Sequence, residues 1–488
     1  MLLTSAGMVL PMLNAAVYQD WETARTFFYH GLIFWLGSYA IGLAIGPQRK
    51  RQSQVRSDLI TLIAAYALLP LMMAAPVAHL VPSLGFFGAY FEMVSCFTTT
   101  GATQFEQAVD LSATLHLWRA FAGWSGGLLI VLAAFVIFEP LNLGGFELLQ
   151  KGAPGSESFF TQTISAGETL WSRYVPIIVP IYTGGTLTLT LLLILAGEGP
   201  LIALCHGMSV ISTTGASPVG GLENGLSGRV GEVIVMFFFI FALTHRVYRP
   251  QTRIKSDRGI NDPELILAAI AVCSLTLLLF MRHWLASFDF ADQENIGAMA
   301  SAVWGTFFTV LSFVTTTGFV SADWMAARDW SGLETTGLIF MGVSVIGGGI
   351  ATTAGGIKLL RVYGLYRHGL REVQILAEPH SVPSEGRGHR QMRRQGAYLS
   401  WIFLMLFLVT LASLMLVLTL LGLGFVEAIA HAIAALATTG QLVPAMGTDV
   451  TDYGYLSSEV KAVLAIAMVM GRVESLALIA LLNPMSWR

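Results

Sequence analysis

Residues 95–103 read Ser-Cys-Phe-Thr-Thr-Thr-Gly-Ala-Thr, and the chain of 488 residues holds three more stretches of the same kind. The four end in Thr99-Thr100-Gly101, Thr213-Thr214-Gly215, Thr316-Thr317-Gly318 and Thr438-Thr439-Gly440. Agreement runs deeper than the tripeptide. Six positions before the glycines stand Ser95, Ser209, Ser312 and Ala434; three before stand Thr98, Ser212, Thr315 and Ala437; ten before stand Phe91, Cys205, Phe308 and Ala430. The glycines lie roughly 100 to 120 residues apart, too far for a short solenoid repeat. A unit of that size holds two membrane helices with a re-entrant loop between them. Four short Thr/Gly loops around one axis build a ring of backbone carbonyls that replaces the water shell of a cation. The plainer alternative is that each tripeptide only caps a buried helix.

Composition agrees with a membrane setting. The chain is 55% hydrophobic and 12% charged, with mean hydropathy +0.67; soluble domains carry about twice that charged share. A net charge of −3 implies no nucleic-acid partner. Cys96, Cys205 and Cys273 show no paired spacing, so they read as small buried apolar residues rather than a disulfide or zinc framework. The apolar start, residues 1–18, lacks a basic leader region and a clear cleavage site, and reads as a retained helix.

Apolar runs long enough to cross a bilayer fall near 2–18, 27–46, 58–80, 113–138, 173–196, 230–248, 263–285, 333–366, 397–424 and 458–483. Shorter apolar segments at 86–97, 200–212, 298–314 and 425–437 each lead into a Thr-Thr-Gly copy. Basic residues gather in three loops: Arg49, Lys50, Arg51 and Arg56; Arg246, Arg249, Arg253, Lys255 and Arg258; and Arg361, Arg367, Arg371, Arg387, Arg390, Arg393 and Arg394. The alternate loops are mostly acidic. Basic loops stay cytoplasmic, so ten spans put both termini inside and all four Thr-Thr-Gly copies enter from the outer side. Residues 378–395 read as a cytoplasmic linker.

Each short helix would aim its C-terminal end, with its partial negative charge, at the axis. Glycine lets carbonyls approach an ion closely. Oxygen ligands without carboxylates suit a monovalent ion. Glu92, His206, Thr309 and His431, nine before each glycine, differ chemically and read as hydrogen-bonding groups behind the loops. In the run 333–366, Gly347-Gly348-Gly349 and Ala354-Gly355-Gly356 cost about 1 kcal/mol per glycine in a helix, so a break is expected; the alternative is a small-residue packing stripe. Arg472, deep in the last run, needs a cavity or a partner, and Glu474 is one candidate. Lys358 marks either the inner end of the broken run or topology alone. No HExxH, GxSxG or paired-aspartate motif supports an enzyme.

These residues resemble the Trk/Ktr/HKT superfamily of potassium transporters, closest to its bacterial Trk-type membrane subunit. The resemblance is carried by residues 95–103, by Gly123-Trp-Ser-Gly-Gly127, by Thr353-Ala-Gly-Gly-Ile-Lys358, by Gly471-Arg-Val-Glu474 and by Asn483-Pro-Met-Ser-Trp-Arg488. It implies an all-α polytopic membrane protein: a pseudo-fourfold pore of four helix–pore loop–helix repeats plus two N-terminal transmembrane helices. The expected divisions are an N-terminal helix pair at 1–56, repeats at 57–150, 151–258, 259–378 and 396–488, and the linker at 379–395. The filter would comprise Thr99, Thr100, Gly101, Thr213, Thr214, Gly215, Thr316, Thr317, Gly318, Thr438, Thr439 and Gly440. A gate loop below it would comprise Gly347, Gly348, Gly349, Thr352, Thr353, Gly355, Gly356 and Lys358, with Arg472 lining the pore beneath the filter. At Gly349-Ile-Ala-Thr352 the chain departs from the relatives' frequent Cys-Ala-Gly-Ser run. The resemblance implies uptake of K⁺ across a bacterial inner membrane, channel-like or ion-coupled, by a homodimer working with a cytosolic nucleotide-binding regulatory subunit. Glycine in all four filter places favours K⁺; a Na⁺ or mixed K⁺/Na⁺ carrier is the alternative.

Overall fold

A computed structural model describes residues 1–45, 54–105, 111–141, 143–148, 170–248, 262–286, 296–331, 336–377, 394–447 and 450–473. The described residues form helices joined by loops, with no strand among them. Among the described residues, six helices are long and apolar enough to cross a membrane: Trp21–Ala44, Ser57–Leu80, Ala113–Leu141, Leu170–Leu195, Pro263–Met281 and Gly396–Leu420. They account for six of the ten expected spans.

Three of the other four differ for local reasons, and the fourth runs out of the described residues. Residues 2–18 form two short helices, Leu2–Gly7 and Val9–Val17, that pack against the helix Trp21–Ile45. The run 230–248 breaks into Gly228–Phe238, Ile240–Leu243 and a 3₁₀ turn His245–Tyr248. Thr244 there turns extended. The break leaves the Ala242 carbonyl free to accept from Gly349 N (2.9 Å) and Thr352 Oγ1 (3.1 Å). The run 333–366 breaks as its glycines predict, into Gly337–Ile346 and Leu359–Ala377. The second piece continues well past 366. The last helix is described over Ser458–Val473; the rest of the run to 483, with Glu474, and the closing motif lie outside the described residues. So do the linker 378–393 and most of the loop cations.

Two expectations about single residues are corrected. Arg361 is no loop cation: it is fully buried, its guanidinium 3.8 Å from the centre of the Phe403 ring. Stacking on an aromatic face suits a planar, weakly hydrated cation. Cys273 is exposed on the apolar span Pro263–Ala286, whereas Cys96 and Cys205 are buried as expected.

Four short helices, Gly85–Phe97, Pro200–Ser212, Ile296–Val314 and Phe425–Leu436, end at the four tripeptides. Glycines let the longer helices approach them. A Cβ at Gly126 would overlap the Phe97 carbonyl oxygen, and one at Gly471 would overlap that of Leu436. Phe97 and Leu436 stand at the same repeat position, four before their glycines. Gly123 and Gly127, in the same glycine motif as Gly126, lie against Thr214 and Ser212. That motif is therefore a packing surface for the first and second copies.

Candidate functional site

The four tripeptides are built alike. The carbonyl six before each glycine accepts the N–H of the second threonine: Ser95 from Thr100 (2.9 Å), Ser209 from Thr214 (2.9 Å), Ser312 from Thr317 (3.0 Å) and Ala434 from Thr439 (2.9 Å). Such bonds satisfy the carbonyls left open at a helix end. Their geometry forces the first threonine into the left-handed region, with φ of 58° at Thr99, 56° at Thr213, 58° at Thr316 and 51° at Thr438. A helix cap normally places glycine there. A β-branched residue in that conformation costs on the order of 1–3 kcal/mol and marks a place where surroundings over-determine the backbone. The glycine stands two residues later, also left-handed at Gly101, Gly215 and Gly318 (φ 75°, 71° and 78°). Gly440 alone keeps an ordinary φ. The capping reading therefore fails as the whole account: threonine occupies the cap position, and glycine serves another contact.

Hydroxyls stiffen the loops. Thr98 bonds Thr100 (2.9 Å), Ser212 bonds Thr214 (2.7 Å) and Thr315 bonds Thr317 (3.0 Å). In the fourth copy Ala437 has no hydroxyl, and Thr439 donates to the Ala437 carbonyl instead (3.2 Å). The positions nine before the glycines do hydrogen-bond behind the loops. Glu92 accepts from Gln104 N (3.0 Å), His206 Nε2 meets Ser217 Oγ (2.9 Å), and Thr309 accepts from Ser321 N (3.2 Å). His431 differs, with Nδ1 on the Glu427 carbonyl and its ring edge-on to Tyr453, whose hydroxyl donates to the Gly440 carbonyl (3.2 Å). Glu92 is also paired with Arg119 (2.8 Å), both buried.

The copies touch one another in a closed cycle. A Cβ on Gly101 would overlap the Thr214 carbonyl oxygen, and one on Gly215 that of Thr317. A Cβ on Gly318 would stand 2.6 Å from Gln441 Cβ, and Gly440 N donates to the Thr100 carbonyl (2.6 Å). First meets second, second third, third fourth, and fourth first. The four loops are thus brought together around one centre.

Residues 347–358 run directly beneath the first-threonine side of this ring. Thr213 Oγ1 donates to the Thr353 carbonyl (2.9 Å), Thr353 Oγ1 to the Ile211 carbonyl (3.1 Å), and Gly355 N to Thr316 Oγ1 (2.9 Å). Gly355 abuts the Ala437 carbonyl and Thr438 Oγ1. The hydroxyls of Thr99 and Thr438 are buried and find no hydrogen-bond partner among the described residues. Arg472, 4% exposed, donates from Nη1 to the Thr353 carbonyl at 2.6 Å. Lys358 is buried rather than a surface topology marker, and its Nζ donates to the Ala354 carbonyl. Ile350, at the point of departure from the relatives, packs with Leu148 and Leu360 against Gly145, and its N–H donates to Glu264 (2.8 Å).

The model of a family described as "TrkH: Cation transport protein" matches residues 234–487. The chain belongs to the TrkH family. Its relatives include the Trk system potassium uptake protein TrkH of Halomonas elongata, 29% identical over 100% of this chain and 97% of that one. The protein of the same name from Escherichia coli is 25% identical over the same shares. The crystal structure of the potassium transporter TrkH from Vibrio parahaemolyticus superposes with a TM-score of 0.80, at 22% identity, over 100% of this chain and 97% of that one. The fold is therefore that of an all-α, multi-pass membrane protein of a transport family.

Sequence reasoning missed three features of this TrkH-family site. Left-handed threonines carry no signal, because glycine nearby suggests the opposite placement. The free Ala242 carbonyl follows from a helix break that hydropathy does not register. Gln441, one residue past the fourth glycine, was visible as a polar residue next to the fourth tripeptide but had no counterpart among the other copies.

Proposed function

We propose that the chain takes up K⁺ across a bacterial inner membrane, with Thr99 to Gly101, Thr213 to Gly215, Thr316 to Gly318 and Thr438 to Gly440 as the selectivity filter. The observation that carries this reading is the closed cycle of contacts among the four copies. Peptide oxygens converging without carboxylates match a dehydrated monovalent ion, and the relatives' name, potassium uptake protein, supports K⁺ over Na⁺. Gly347, Gly348, Gly349, Thr352, Thr353, Gly355, Gly356 and Lys358 form the gate loop, and Arg472 holds it while presenting positive charge to a passing cation. The units are an N-terminal pair at 1–56, repeats at 57–150, 151–258, 259–378 and 396–488, and a cytoplasmic linker at 379–395. Both termini are cytoplasmic. The working form is a homodimer with a cytosolic nucleotide-binding regulatory subunit.

The test is Gly101→Ser, expressed in a host that lacks its own K⁺ uptake. The ratio of Rb⁺ to Na⁺ uptake is expected to fall, because serine places a Cβ and a hydroxyl against the Thr214 carbonyl. An unchanged ratio defeats the filter assignment. A wild-type ratio near one supports a mixed K⁺/Na⁺ carrier instead.

A further inference from the structure

The Gln441 side chain touches all three of the other copies. Its Nε2 donates to the Gly101 carbonyl at 3.0 Å. Its Cγ lies 2.7 Å from where a Cβ on Gly215 would stand, and its Cβ 2.6 Å from the corresponding point on Gly318. Copies one and three are neighbours of copy four in the cycle; copy two is opposite. A side chain from copy four reaches its opposite only by crossing the centre. Gln441 is half-buried and approaches from the glycine side, away from the loop 347–358. The acceptor at Gly101 requires the amide nitrogen, not the oxygen, to face it.

We propose that Gln441 is a specificity-determining residue that lies across the outer mouth of the filter and competes with the entering cation for the Gly101 carbonyl. This rests on the filter reading above. An amide N–H is a weak, uncharged rival for an oxygen that an alkali cation would ligate. The cation must displace it, and the ion that gains most from peptide oxygens does so most readily. Turned over, the same amide offers its own oxygen to an ion at the mouth.

The experiment measures Rb⁺ uptake kinetics in cells of a K⁺-uptake-deficient host carrying the full chain, with membrane levels checked by immunoblot. Gln441→Ala is expected to lower the KM for Rb⁺ about twofold to tenfold, the effect of removing one neutral hydrogen-bonded competitor. The maximal rate is not expected to fall, and Na⁺ uptake should rise relative to Rb⁺. Gln441→Glu keeps the length and cannot donate to Gly101. It is expected to make uptake sensitive to block by millimolar Ca²⁺, because a carboxylate at the axis recruits divalent ions. A bracing residue away from the path would lower the rate in both variants without either signature. If Gln441→Ala fails to reach the membrane, the Ca²⁺ response of Gln441→Glu decides. Unchanged KM and no Ca²⁺ block, alongside a shifted ion ratio in Gly101→Ser, overturn the Gln441 proposal and leave the filter reading standing. No shift in Gly101→Ser removes the filter reading itself.

Discussion

At the scale of single residues, the repeated positions have repeated jobs. In three copies a serine or threonine three before the glycine holds the second threonine's hydroxyl, and in all four the carbonyl six before it turns the chain. The matched offsets were legible in the sequence, but the bonds made there were not, because they depend on the turn geometry. Gly126 has a different job, letting a long helix sit on the Phe97 carbonyl. Gly126→Ala should therefore destabilise the protein by about 1–3 kcal/mol through overpacking. Gly37→Ala, in an exposed helix with nothing near the added methyl, should gain up to about 1 kcal/mol. Thermal unfolding of the purified protein in detergent measures both. Glu198, in the turn before the second short helix, carries a pH signature. Burial pushes its carboxyl up, but bonds from Ser227 Oγ, Ser227 N and Leu226 N outweigh this and hold it below its ordinary value of 4.5. A lowered carboxylate stabilises the fold above its ordinary value and loses that contribution as pH falls through the folded value. Wild type should thus melt higher than Glu198→Gln near pH 6, and the gap should close as the pH falls below the ordinary value and through the lowered folded one.

At the scale of elements, the loop 347–358 is the informative piece. Glycine density predicted that the helix would break, and it does. Where the broken ends would go was not legible, because the partners come from distant parts of the chain: Ala242, Ile211, Thr316 and Arg472. A sequence records the cost of a helix at those glycines but not the identity of carbonyls left open elsewhere. The Arg472 bond to Thr353 is buried and charge-assisted, a class worth about 1.5–3 kcal/mol. Arg472→Ala should release the loop and raise the maximal rate of Rb⁺ uptake by about tenfold or more. Initial rates normalised to protein in the membrane test this; a fall in rate with normal expression would mean that the arginine is needed for conduction rather than closure.

At the scale of the whole molecule, alternation of basic and acidic loops predicts sidedness, and the contact cycle fixes which ends of the hairpins meet. Asn224 lies in the loop after the second tripeptide, and Ser384 in the linker. Asn224→Cys should react with a membrane-impermeant thiol reagent in intact spheroplasts, and Ser384→Cys only after lysis, both in a background with Cys273→Ser. The reverse pattern would invert the topology. Span counting was less successful at two runs, 230–248 and 333–366, which are broken among the described residues rather than continuous apolar helices. Both breaks fall where backbone groups are spent on another part of the protein, at the Ala242 carbonyl and around Gly347, so hydropathy measures thickness crossed but not chain continuity.

The bonds from residues 347–358 to Thr213 and Thr316, but to neither Thr99 nor Thr438, tie two quadrants of the ring to the loop and leave two untethered. If the ring is the filter and the loop the gate, as proposed above, occupancy at the ring and posture of the loop are linked quantities. By reciprocity, whatever factor loop withdrawal applies to cation affinity, cation binding must apply to loop withdrawal. A regulator pulling from the inside and a salt gradient acting from the outside would then work on one shared equilibrium, transmitted through two hydroxyls.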